Sequence, residues 1–334
     1  MSAQGDTPAG AEGLVRAGAD AAGSDAAGAV PPAGAAGTGS AGAHTLALLV
    51  AYDGAPFSGF ARQEGRCTVQ GQIEEALRVL CRREVPTTCA GRTDAGVHAL
   101  GQVVSFDVTD AEAARGCDAW RRALDALTHE DISIRAVRQA PPGFSARFDA
   151  QGREYRYFLH CGQARAVFTR RFSWHTGCEL DVEAMRAGAA QLLGEHDFKS
   201  FCKTASAEGR STCREVRRID VEPQTVMGER LLVVAVEGNA FLHSMVRTIV
   251  GTLVAVGRGL REPAWVGEAL AARDRRAAGE TAPAQGLVFW RVRYDGEGRF
   301  TGDAAPAART GAQEVRFAGF GEAEGFDGRE ATGL

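Results

Sequence analysis

The chain has 334 residues, 45% apolar and 24% charged, a soluble globular composition with room for two ordinary domains. No run approaches the roughly 18 apolar residues of a membrane span, and the eight cysteines (67, 81, 89, 117, 161, 178, 202 and 213) form no Cys-x-x-Cys pair, so a membrane span, a zinc ribbon and a thiol redox motif are all unsupported. The formal charge is −4, yet residues 44–295 hold 33 bases against 31 acids, so only local clustering can create a phosphate-binding face.

Residues 1–43 are mostly Ala, Gly, Pro, Ser and Thr without an aromatic. Such a segment cannot offset the entropy of ordering, and disorder is expected there. It has neither the basic and apolar regions of a secretory signal nor the arginines of a transit peptide, and the protein is expected to be cytoplasmic. The cysteines are then expected to be reduced and mostly buried. Only Lys199 and Lys203 are lysines among the 38 bases, a bias that reads more simply as codon usage than as phosphate recognition.

The ordered body opens with a buried strand, Leu46 to Tyr52, and a turn at 53–56. Thr68 is placed to cap a helix whose inner face is Val69, Ile73, Leu77 and Leu80. A strand at 85–90, a glycine-bounded loop and a strand at 101–107 come next. A helix over about 112–127, with Trp120, Leu124 and Leu127 on one face, and a strand at 132–137 complete an α+β unit. The second half loosely repeats the plan. It has a strand at 153–160, a helix at 181–193 with Met185, Ala189 and Leu192 inward, strands at 213–221 and 230–237, helices at 242–257 and 263–272, and a last strand at 287–294. Two sheet-and-helix domains, 44–150 and 151–295, are expected to face each other across a cleft. Residues 296–334 return to Gly, Ala and acids and are expected to be a disordered acidic tail. Their Gly319 to Gly325 stretch lacks the preceding strand of a nucleotide loop.

The loop Ala90-Gly-Arg-Thr-Asp-Ala-Gly-Val-His98 puts a lone carboxylate, Asp94, between glycines and beside Arg92 at a sheet edge. Taken alone it is either an Asp-Gly turn capping its own amides or a presented reactive group. Gly91 and Gly96 allow a tight turn and close approach of a ligand. In Gly152-Arg-Glu-Tyr-Arg-Tyr-Phe158, alternation sends Arg153, Tyr155 and Tyr157 to one face and Glu154, Arg156 and Phe158 to the other. An aromatic flanked by arginines suits a stacked base and its phosphates, although in isolation a half-buried strand with solvated arginines is the better explanation. Gly238-Asn-Ala-Phe-Leu-His-Ser-Met-Val-Arg-Thr-Ile-Val-Gly251 reads as a loop entering an apolar helix, with His243 and Arg247 one turn apart. An arginine on such a helix calls for a carboxylate partner.

Seven segments, in order, resemble the motifs of the TruA-type tRNA pseudouridine synthases: Tyr52-Asp-Gly; Gly91-Arg-Thr-Asp-Ala-Gly-Val-His98 with Gly101-Gln102; Ala146-Arg-Phe148; Arg153-x-Tyr-Arg-Tyr157; Leu193-Gly-Glu-His-Asp-Phe198; Asn239 to Arg247; and Ala282-Pro-Ala-x-Gly-Leu287. The resemblance spans about 45–295. It implies two α/β domains, each on an antiparallel sheet with helices on one face and an active-site cleft between them. It implies isomerisation of uridine to pseudouridine in the anticodon stem-loop of tRNA, at positions 38, 39 and 40, by a homodimer without metal or organic cofactor. By position, Asp94 matches the catalytic aspartate, Tyr155 the tyrosine that stacks on the target uracil, Arg247 the basic partner of the carboxylate, and Arg92 an arginine that handles the flipped nucleotide.

Two departures stand out. Gly59-Phe60-Ala61-Arg62-Gln63 replaces a segment that commonly reads Gly-Trp-Gln-Arg-Gln, and Glu154 is acidic where a basic residue is frequent. The competing readings are a non-catalytic tRNA-binding or folding protein on the same scaffold, a synthase of this family acting on another RNA, and an aspartyl-nucleophile phosphatase. The last lacks an Asp-x-Asp motif after a strand.

Overall fold

The structure, a computed structural model, describes residues 44–294. The two expected tails lie outside the described residues. The apolar run at the start of the body forms β1 (His44–Tyr52), nearly continuously buried because it lies between two other strands. Thr68 Oγ1 accepts from Gly71 N at 3.2 Å and starts α1 (Val69–Cys81), whose Val69, Ile73 and Leu77 face the core. The strand expected at 85–90 shrinks to β2 (Thr88–Cys89), and its partner β3 extends over His98–Val108.

The helix expected at 112–127 is two helices, α2 (Asp110–Ala113) and α3 (Cys117–Leu127). Gly116 between them takes φ 77°, which breaks the helical hydrogen-bond ladder. Trp120 and Leu124 are buried as expected, but Leu127, at the frayed end, is exposed. After α3, β4 (Ile132–Ala140) pairs with β1.

In the second half, β5 (Ala150–His160) carries β6 (Trp174–His175) on its flank. Asp181 caps α4 (Val182–Ala190), which ends three residues earlier than the apolar pattern suggests, with Leu192 still buried beyond it. Then come β7 (Gly194–Asp197), a 3-10 turn, the short α5 (Thr204–Ala207), β8 (Cys213–Val226) and β9 (Glu229–Gly238). The helix α6 (Met245–Gly257) is apolar all round and almost wholly buried. It is followed by α7 (Trp265–Ala272) and β10 (Leu287–Tyr294).

The strands form one ten-stranded sheet in the order β4-β1-β3-β10-β5-β9-β8-β7, with β2 and β6 as side branches. Along this order every neighbour is antiparallel but one, and the side branch β6 runs parallel to β5. The exception in the main order is the seam: β10 runs parallel to β3 through Val288–His98 and Phe289–Ala99, and antiparallel to β5. The last strand of the second half thus stitches the first half to the second. A parallel register brings the N-terminal end of β3, where the Asp94 loop delivers the chain, level with the start of β10.

The alternation of β5 holds. Tyr155, Tyr157 and Leu159 are buried, while on the opposite face Glu154 is only 1% exposed because three guanidiniums cover it. Arg156 Nε lies 2.9 Å and Arg291 Nε 2.6 Å from its carboxylate, with Arg218 Nη2 at 3.4 Å. The acidic departure at Glu154 therefore neutralises a cluster of arginines, and it faces away from Tyr155. The cysteines correct another expectation: all eight are free thiols, but only Cys202 is buried, and Cys67 and Cys213 are exposed.

Candidate active site

Asp94 leaves the sheet in a loop whose neighbours are fixed before the carboxylate is reached. Thr93 Oγ1 is hydrogen-bonded to the Tyr52 hydroxyl at 2.8 Å, and Thr93 O accepts from Phe60 N at 3.0 Å. Phe60 is fully buried against Tyr52, so the aromatic of the departing 59–63 segment serves the core under the loop. Gln102 closes the other side, donating from Nε2 to Gly91 O at 2.6 Å. Gly96 adopts φ 76°, a left-handed turn that suits glycine. At Gly91 the missing side chain leaves room for protein rather than ligand: a Cβ there would lie 2.9 Å from the Phe289 ring.

The carboxylate points at the start of α6. Ser244 Oγ donates to Asp94 Oδ2 at 2.9 Å, Arg247 Nη1 donates to the same oxygen at 3.1 Å, and His243 Nε2 stands 3.2 Å from Oδ1. Arg247 is steadied by its Nε, which donates to Ala282 O at 2.7 Å, while Ala282 N returns a bond to Arg247 O. Ser244 is the helix N-cap residue but makes no capping bond. Its backbone is left-handed, φ 60°, and its hydroxyl serves Asp94 instead. A non-glycine residue held in that region is strained, and such strain clusters at functional sites. The positive end of the α6 dipole adds to the field around the anion.

Burial pushes the Asp94 carboxyl toward its neutral form, but the His243 contact and charge, the Ser244 hydroxyl and the Arg247 guanidinium overcome it. Together they hold the pKa down to about 2, against an ordinary 3.8. Asp94 is thus ionised, while its side chain stays 24% exposed.

Tyr155 is 7% exposed, its ring edge-to-face with Phe289 at 4.8 Å and Phe241 at 5.2 Å between centroids. Burial pushes its phenol far up, so it remains protonated. Its hydroxyl lies beside Gly91, 3.5 Å from where a Cβ would stand. Arg92 is exposed and makes no hydrogen bond or ion pair among the described residues. Asp94, Arg247 and Tyr155 are therefore gathered from both halves of the chain, and Arg92 is exposed two residues before Asp94 on the same loop.

Three participants escape the sequence reading. His243 is visible one turn before Arg247, and that spacing is the signal that places it on the same carboxylate. Ser244 gives no signal, because its role depends on a left-handed backbone. Arg153, read as a phosphate contact or a solvated residue, is instead a clamp on backbone carbonyls. Its guanidinium donates to Ala90 O at 3.1 Å, Ala150 O at 3.1 Å, Asn239 O at 2.7 Å and Arg147 O at 2.7 Å.

An ionised, cation-paired aspartate, with the Tyr155 ring in the same neighbourhood and an arginine unpaired among the described residues, suits nucleophilic or acid–base chemistry on a planar, anionic substrate. The profile of the family described as tRNA pseudouridine synthase matches residues 48–149 and 189–295; the Tyr155 strand lies between the two matched segments. Among similar proteins is the tRNA pseudouridine synthase A of Brevibacillus brevis, 45% identical over 249 residues, covering 75% of this chain and 99% of that one. That of Methylococcus capsulatus is 44% identical over 260 residues, covering 78% and 93%, and that of Bacillus subtilis 41% identical over 252 residues, covering 75% and 99%. The chain belongs to the tRNA pseudouridine synthase family. It is an isomerase that converts uridine in tRNA to pseudouridine.

Proposed function

We propose that the chain modifies uridines of the tRNA anticodon stem-loop, at positions 38, 39 and 40, with Asp94 as the reacting group. The observation that carries this reading is the carboxylate held ionised by His243, Ser244 and Arg247 at a position still open to solvent. Isomerisation breaks the N1–C1′ bond, turns the detached uracil and joins C5 to C1′; the C5 proton leaves and N1 gains one. A carboxylate assists by attack at C1′, by attack at C6 or by removing a sugar proton, and every one of these routes requires the anion. Arg247 keeps Asp94 charged and aimed.

A stacked base is out of reach, so the nucleotide must leave the helix at a cost of a few kcal/mol. Contact with Tyr155 offsets part of that cost, and Arg92, exposed and unpaired among the described residues, holds the displaced backbone in this reading. In this reading the segments 44–150 and 151–295 are two domains, the first supplying Asp94 and Arg92, the second Tyr155 and Arg247. The enzyme works in the cytoplasm as a homodimer. No helix among the described residues is long and apolar enough to cross a membrane.

The test is release of tritium from C5-labelled uridine in tRNA. The parent chain is expected to release label stoichiometrically with pseudouridine formed at 38–40. Asp94→Asn is expected to bind the tRNA within about threefold of the parent, because the isosteric amide keeps the contact surface, and to release nothing. Turnover by Asp94→Asn would remove the assignment. Label released only from uridines elsewhere would remove the anticodon reading.

A further inference from the structure

Phe148 is 79% exposed, more than any other large apolar side chain among the described residues, and it stands on a turn fixed from beneath. Ala146 N donates to Ser105 Oγ at 3.0 Å, and Ala146 O accepts from the buried Tyr294 hydroxyl at 2.8 Å. Ser145 and Asp149 close the turn on each other, Ser145 N donating to Asp149 Oδ2 at 2.9 Å. Arg147 O accepts from Arg153 Nη2, the same nitrogen that holds Ala90 O, four residues ahead of Asp94. One guanidinium therefore sets the height of this turn and the root of the catalytic loop together. The two are close enough that Arg147 and Arg92 both act electrostatically on Cys89.

None of these bonds uses the Phe148 ring. The Arg147 guanidinium lies over the ring, 5.4 Å from its centroid. A solvated aromatic on a rigid mount loses little entropy on binding, and a stacking surface of this kind accepts any base because every base has a π-face. The adjoining arginines, 147 and 92, supply the charge for the phosphates on either side of such a base.

We propose that Phe148 and Arg147 form a nucleotide-binding tip that stacks an unpaired base of the substrate RNA next to the uridine presented to Asp94, with the Arg147 guanidinium on its phosphate. This rests on the reading of Asp94 as the reacting group on tRNA.

The test uses the full chain and a tRNA transcript carrying 2-aminopurine beside the target uridine. On binding, the parent is expected to quench the probe by stacking. Phe148→Ala is expected to lose the quench and to bind about 5- to 150-fold more weakly, the range that stacking one base implies. Phe148→Trp is expected to keep both. Arg147→Gln is expected to lower the slope of log Kd against log salt by about one ion. Because Phe148 is exposed, the Ala variant should melt with the parent, so misfolding does not obscure the result. Unchanged affinity and quench in Phe148→Ala overturn the proposal. So does a shift of that variant toward monomer in light scattering with RNA affinity intact, which makes the ring a subunit contact. Parent turnover of the unlabelled transcript is followed in parallel: if it fails, the Asp94 reading falls, while the binding arms still decide Phe148.

Discussion

At the residue scale the proposed reaction depends on keeping one carboxylate charged in a place that disfavours charge. Asp94 has a folded pKa of about 2 against 3.8 for the free side chain. Because the folded value is the lower one, the contribution to stability is fully present above about pH 4 and is lost as pH falls through about 2. It amounts to on the order of 2 kcal/mol. Asp94 therefore imposes no acid limb on activity between pH 4 and 7 in the parent. His243 is the strongest influence holding the pKa down, and burial remains when it is removed. His243→Gln is expected to raise the acid limb of kcat/KM by about two to three units, to above about pH 4, where the parent is flat. A pH profile of tritium release from pH 4 to 8 reads this directly. An unmoved limb with reduced kcat would show that His243 acts on the RNA rather than on Asp94.

At the element scale the site is an agreement between segments distant in sequence, and Arg153 enforces it. Its guanidinium joins Ala90, four residues before Asp94, to Asn239, four residues before His243, and to the turn that bears Phe148. Lysine in its place reaches fewer carbonyls and lacks the planar fork. Arg153→Lys is expected to lower kcat about 10- to 100-fold, since a displacement near 1 Å costs that much in a positioned reaction. It should also raise the acid limb, because Asp94 then drifts from its cations. A purely structural role would lower the melting temperature without moving that limb, so the two are separable by one titration. How much of this is legible in the sequence follows from locality. The Thr68 cap, the faces of α1 and α4, the buried β1 and the split faces of β5 are written in neighbouring residues and are read correctly. The partner of Arg247 is legible because a buried cation demands an anion. The break at Gly116 and the extra turn at Ser244 are single-residue backbone choices that periodicity passes over. The Arg153 clamp and the three arginines around Glu154 are long-range, since β5 meets β10 and β8 only after the sheet is assembled. The charges were visible, but which of them meet was not.

At the scale of the whole molecule, we propose that the catalytic unit ends where β10 ends. Relatives aligned over 249 to 260 residues are covered for 93% to 99% of their own length by 75% to 78% of this chain, so most of the two terminal segments lies outside what these relatives share. Their removal also changes the charge of the chain from −4 to +2. That alters long-range attraction to RNA, a screened effect that shows in the association rate at low salt and fades near physiological ionic strength. A chain of residues 44–296 is expected to turn over tRNA within about twofold of the full protein at physiological salt. The boundary on the C-terminal side is sharp, because Tyr294 is 1% exposed, packs 5.2 Å from the Phe144 ring and donates its hydroxyl to Ala146 O. Ending the chain at 292 removes that ring and hydrogen bond, with a stability cost on the order of 3–5 kcal/mol. The same cut frees the turn that carries Arg147 and Phe148. Thermal melts of the two truncations, with tritium release measured below both transitions, separate the effects: the shorter chain should lose stability and RNA affinity together, the longer chain neither. A 44–296 chain that folds but fails to turn over would place a needed residue in one of the removed segments.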